Sequence, residues 1–128
     1  MLNPDFLTLA EVVAVHSDQI VRYGGETGIR DMGLLESALA QPEASFGGKW
    51  LHLTIWDMAA AYAFHLSQNH SFFDGNKRTA LATAIIFLSI NRIEVRDPKS
   101  SLIEVMYRVA KGEVGKVALS VVFKTLSK

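Results

Sequence analysis

The sequence predicts an all-α bundle of one domain, residues 1–128, with at most a small extended element. Three observations carry that expectation. Apolar residues recur at helical spacing in successive segments, Ser, Thr or Asp stands at several of their starts, and Gly or Pro follows several of their ends. The 128 residues are 49% hydrophobic and 20% charged, ordinary for a globular chain, and at this length one core buries roughly two thirds of the surface that the unfolded chain exposes.

Thr8 and Glu11 have capping-box spacing ahead of Leu9, Val12, Val13, His16 and Ile20, so a first helix runs to about Arg22. Tyr23-Gly24-Gly25 ends it, because glycine takes the left-handed conformation that helix ends favour. The polar stretch to Arg30 is a loop. Asp31 caps a short second helix, Leu34 to Leu39, which Gln41-Pro42 stops, and Pro42 to Lys49 is irregular. From about Leu53, the residues Ile55, Met58, Ala59, Tyr62, Ala63 and Leu66 trace one helical stripe ending near Asn69. A further helix runs from about Asn76 to Asn91, forming a hairpin with the last. Apolar side chains lie on most of its sides, so it is expected at the centre of the fold. Ile93 to Arg96 alternates as an extended segment would. Ser101 and Glu104 have capping-box spacing before a helix that Gly112 ends. Val117 to Leu126 is a last candidate helix, opposed by its β-branched residues.

Composition excludes several function classes. Without cysteine there is no disulfide scaffold, thiolate metal site or cysteine nucleophile. Thirteen Lys and Arg balance thirteen Asp and Glu, so the basic surplus of a phosphate-reading nucleic-acid binder is missing and no direct nucleic-acid contact is expected. Met1 to Asp5 lacks the basic and apolar run of a signal peptide, and the apolar stretch Thr79 to Ile90 falls short of the ~20 residues of a membrane span. A cytoplasmic protein without a membrane partner is expected.

Chemistry concentrates in His70-Ser71-Phe72-Phe73-Asp74-Gly75-Asn76-Lys77-Arg78, between the two helices of the hairpin. A helix start offers unpaired N–H groups and partial positive charge, so Gly75, Asn76, Lys77 and Arg78 present donors and two cations to a phosphate. Asp74 supplies a carboxylate of the kind Mg²⁺ takes beside phosphate oxygens and water. His70 offers an imidazole, the side chain most often used as a general base. Each residue also has a structural alternative: His70 as a helix-end partner, Asp74 or Asn76 as a cap, Lys77 and Arg78 as solvated cations. Their clustering favours the site. Phe72 is a hydrophobic anchor in either reading. Elsewhere, His16 reads as a core histidine, His52 and His65 show no partner, and Trp50 and Trp56 belong to the core or to a peptide groove.

The stretch His70 to Arg78 resembles the HxFx[DN]xNKR motif of the Doc toxins, a branch of the Fic superfamily, and the first helix with Arg22-Tyr23-Gly24-Gly25 resembles their N-terminal part. The resemblance covers essentially the whole chain. It implies a Fic/Doc-type helical bundle with the motif between two central helices. Fic enzymes that carry HPFx[DE]GNGRxxR transfer AMP from ATP to a protein hydroxyl; here Ser71 replaces Pro, Lys77 replaces the second Gly, and Leu81 stands where the second Arg would be. Doc proteins share the Lys. Their resemblance implies ATP and Mg²⁺ as cofactors and transfer of the γ-phosphate to a threonine of elongation factor Tu, blocking translation. It also implies a small Phd-like antitoxin held in a hydrophobic groove. On this reading His70 is the base, Asp74 the metal ligand, and Gly75, Asn76, Lys77 and Arg78 hold phosphate. AMP transfer and a non-catalytic binding module are the alternatives.

Overall fold

A computed structural model describes residues 2–128 and contains six helices and one two-stranded hairpin among them. Helix α1 spans Leu9–Tyr23, α2 Met32–Ala40, α3 Ile55–Asn69, α4 Asn76–Ile90, α5 Ser101–Ala110 and α6 Lys116–Thr125. Strands β1 (Ser45–Phe46) and β2 (Lys49–Trp50) pair antiparallel around Gly47-Gly48, so the Pro42 to Lys49 stretch expected to be irregular instead holds most of a hairpin that ends one residue beyond it.

Start signals explain the early helices. At α1 the capping box closes as its spacing predicts: Glu11 N–H donates to Thr8 Oγ1 at 3.2 Å and Thr8 N–H to Glu11 Oε1 at 2.8 Å. Gly24, at φ 81°, ends the helix. Asp31 caps α2 through Leu34 N–H at 2.9 Å. Helix α5 departs from its expected start. Ser100 is its left-handed N-cap, and its side chain accepts no capping hydrogen bond. The carboxylate of Asp97 does that work instead, accepting from Ser101 N–H, the Ser101 hydroxyl and Leu102 N–H at 2.7–2.9 Å. Helix α6 forms despite its β-branched residues because Leu119 and Phe123 bury completely.

Helix α3, not α4, occupies the centre: it packs on α2, α4, α5 and α6. Ala59, Ala60, Ala61 and Ala63 are fully buried there, and such small side chains allow neighbouring backbones close approach. The apolar residues around α4 are not all internal, for Ile86 and Ile90 remain 38% and 43% exposed. Val95 forms the expected extended contact, bridging to Ser127 beside the Arg96 N–H bond to Leu126 C=O at 2.8 Å. Both tryptophans are packing residues. Trp50 meets Phe6 edge-on at 5.5 Å and donates to Leu2 C=O, while Trp56 donates to Ser127 Oγ at 2.9 Å. No helix among the described residues is long and apolar enough to cross a membrane.

Candidate active site

The α3–α4 turn is held from three sides. Helix α3 ends at Asn69, and His70 follows in the left-handed conformation, φ 49° and ψ 49°, which costs a non-glycine residue about 1–2 kcal/mol. Arg30 offsets that cost: its Nε donates to His70 C=O at 2.7 Å and its Nη2 to Asn69 C=O at 3.4 Å, satisfying carbonyls that the helix leaves open. Asn69 in turn donates to Leu34 C=O at 2.9 Å, tying α2 to the same corner. The imidazole of His70 is exposed.

Residues after α1 lie along the turn like a short strand. Arg30 and Asp31 N–H donate to Ser71 C=O, Ile29 bridges Phe72, and Phe73 N–H donates to Gly28 C=O at 3.3 Å. Phe72 is 1% exposed and stacks on the buried His16 ring, centroids 3.8 Å apart. Asn76 reaches back to this residue with both ends of its amide, donating to Phe72 C=O at 2.9 Å and accepting from Phe72 N–H at 3.0 Å. Its side chain is therefore a clamp on the loop; what it offers to an anion is its backbone N–H.

Asp74 is exposed, and its carboxylate is held below the usual range chiefly by Glu26 N–H at 3.2 Å from Oδ2 and by Gly75 N–H at 2.8 Å from Oδ1. Gly25 allows this approach, since a Cβ there would stand 2.8 Å from Oδ2. Helix α4 then begins from Gly75, at φ 72°, with no side-chain cap. Its ladder opens with Thr79 N–H to Gly75 C=O, so the amides of Asn76, Lys77 and Arg78 precede the helical bonds. The two cations rest near aromatic rings: Arg78 Cζ lies 4.3 Å from the Tyr23 ring centre and Lys77 Nζ 5.6 Å from that of Tyr107.

A cleft of about 350 Å³ gathers Asp74, Gly75, Asn76, Lys77 and Arg78 beneath Tyr23 and Tyr107. His70 is not part of its lining, and Phe72 lies buried below. A second, more apolar groove of about 440 Å³ continues past Tyr23, Arg78 and Ile103 onto Leu81, Ala82 and Ile85. No group of three or more His, Asp or Glu among the described residues forms a metal cage. A single ionised carboxylate beside an uncapped basic helix start nevertheless fits Mg²⁺ that completes its shell with phosphate and water. Neither Arg30 nor the supporting role of His16 is visible in the sequence, because each acts on a partner far along the chain, and Gly25, legible there as part of the helix-ending glycine pair, shows its approach to Asp74 only in the structure.

His52 and His65 also acquire a partner. Lys116 Nζ lies 3.0 Å from His65 Nε2 and 3.4 Å from His52 Nε2, away from this cleft.

The geometry defines a helical protein whose candidate site lies at a loop-to-helix turn. The chain belongs to the Fic/DOC family, whose model matches residues 6–88. It is 45% identical over 75 residues to "Toxin Doc" of Mycolicibacterium smegmatis, an alignment covering 59% of this chain and 58% of that protein. It is 33% identical over 104 residues to "Protein kinase doc" of Escherichia phage P1, covering 81% of each.

Proposed function

We propose that the protein is a Doc-type toxin that moves the γ-phosphate of ATP to a protein hydroxyl, a threonine of elongation factor Tu being the expected acceptor. The observation that carries this reading is the cleft in which Asp74 and the uncapped, doubly cationic start of α4 converge. The names of the two relatives, a toxin and a protein kinase, support it. In the reaction, the acceptor oxygen attacks the γ-phosphorus while the bond from that phosphorus to the ADP oxygen breaks. His70 takes the proton of the acceptor hydroxyl, and ADP departs. The amides of Asn76, Lys77 and Arg78 and the two cationic side chains hold phosphate oxygens and offset developing charge, while the Gly75 N–H holds the Asp74 carboxylate in place. Asp74 would hold Mg²⁺, whose contribution is to neutralise phosphate charge.

Lys77 and Leu81 favour phosphate over AMP transfer. Lys77 fills space and adds charge at the anion site, and Leu81 opens onto the apolar groove instead of presenting a second guanidinium. That groove suits the apolar face of a short antitoxin segment of the Phd kind. A protein acting on translation in this way works in the cytoplasm. The deciding experiment compares γ- and α-labelled ATP with Mg²⁺ and purified elongation factor Tu, using wild type and His70→Ala. Transfer of γ-label alone, dependent on His70, is the expected result. α-Label on the protein means AMP transfer, and no transfer with either leaves a binding module.

A further inference from the structure

The peptide joining Asp74 to Gly75 decides what the start of α4 shows to an anion. A trans peptide directs its C=O and its N–H to opposite sides. The Asp74 carbonyl bonds to Nε2 of His16 at 2.9 Å, towards the buried α1 side. The Gly75 N–H meets the Asp74 carboxylate at 2.8 Å, among residues that line the cleft. Since a carbonyl oxygen only accepts, the His16 ring carries its hydrogen on Nε2. That ring has little freedom: it is 4% exposed and lies flat on Phe72, the planes 6° apart.

A peptide that precedes glycine turns over easily, because glycine accepts either sign of φ. Gly75 sits at φ 72°. If the Asp74–Gly75 peptide turned over, a carbonyl oxygen would face the Asp74 carboxylate in place of the N–H that now holds it, and two unshielded oxygens at the cradle would repel phosphate. We infer that His16 is a positioning residue: its Nε2–H bond to the Asp74 carbonyl locks this peptide with the Gly75 N–H towards the cleft. The inference rests on the phosphate reading of the cleft proposed above. It separates the donor function of His16 from its packing, which a phenyl ring would reproduce on Phe72.

The test is titration calorimetry of inorganic triphosphate into the full chain as wild type, His16→Phe and His16→Gln, with thermal unfolding of each. Gln places an amide N–H near the position of Nε2. His16→Phe is expected to bind triphosphate roughly tenfold more weakly, because a carbonyl oxygen then faces the anion and the Asp74 carboxylate loses the N–H that holds it, with His16→Gln restored to within about threefold of wild type. Folded His16→Phe that binds as tightly as wild type overturns the inference. The second measurement needs no variant: long-range ¹⁵N spectra of wild type should show the His16 ring protonated at Nε2, and a ring protonated only at Nδ1 overturns it equally. Wild type that fails to bind triphosphate instead sinks the phosphate reading itself, an outcome distinct from binding that His16→Phe retains.

Discussion

Replacing His65 with Gln should make the protein less sensitive to mild acid. His65 lies on α3 against Lys116 of α6, and its pKa falls from the ordinary 6.5 to about 4, first through burial and then through the Lys116 ammonium and His52. Folding therefore keeps the ring neutral while the unfolded chain binds a proton below pH 6.5. The stability associated with His65 is complete above that pH and declines as pH falls towards 4. Linkage gives a loss of about 2 kcal/mol at pH 5, and the ring is only half-buried, so solvent screening reduces this to about 1 kcal/mol. His52, facing the same ammonium, shifts in the same direction, chiefly by burial. Asp57 stands near His52 as an ionised carboxylate: burial pushes its pKa up, but bonds from the Ser120 hydroxyl and Thr54 more than offset it. Both remain in the variant. Urea unfolding of wild type and His65→Gln at pH 7.5 and pH 5, followed by circular dichroism, measures the difference. Wild type should lose about 1 kcal/mol more than the variant, or about 3–5 °C in melting temperature. Parallel losses would refute the linkage of His65 to stability.

Four other outcomes follow from the geometry. Asp97→Ala should destabilise the protein by about 1 kcal/mol, since three bonds at the start of α5 disappear with one carboxylate, whereas Glu104→Ala should change little; thermal unfolding compares them. Gly25→Ala should weaken Mg²⁺-dependent nucleotide binding, because its Cβ would crowd Asp74 Oδ2 and its φ of 122° suits only glycine; calorimetry at several Mg²⁺ concentrations reads this. His70→Ala should lower phosphate transfer ~10²- to 10⁴-fold if His70 is the base while leaving ATP affinity near wild type. Asp74→Asn should raise the Mg²⁺ concentration required for half-maximal transfer, which a metal titration of label incorporation shows.

Much of the fold was legible because helix signals are local. The Thr8–Glu11 box, Asp31 and the stripe from Ile55 to Leu66 each predict a backbone feature within a few residues, and the structure contains each. The start of α5 shows the limit. Ser101 and Glu104 have capping-box spacing, yet the left-handed turn at Ser100 delivers Asp97 to the Ser101 and Leu102 amides, a choice that spacing alone does not reveal. The position of α3 was equally hidden. Its alanines contribute little to hydropathy, yet their smallness is what admits neighbours on several sides, while the bulkier α4 leaves Ile86 and Ile90 in solvent. Of the site, the motif residues and their order were visible, but Asn76 looked as suited to phosphate as to a cap. Only its two bonds to Phe72 reveal a clamp.

What the motif could not show is that it is half of a structure. His70 to Arg78 supplies the chemical groups, but the stretch Gly25 to Asp31 supplies their frame. Glu26 holds the Asp74 carboxylate, Gly28 and Arg30 pair with the turn, and the Arg30 guanidinium closes the end of α3 at His70. The two segments are some forty residues apart in sequence, 40 between Arg30 and His70 and 48 between Glu26 and Asp74. Their pairing gives a physical reason for the glycines after α1. Gly25 must admit a carboxylate and Gly28 adopts φ 106° beside the exposed Phe73, so neither position tolerates a side chain without strain. The turn that carries the candidate site is thus held by a loop some forty residues away, and substitutions in that loop should affect the site before they affect the core.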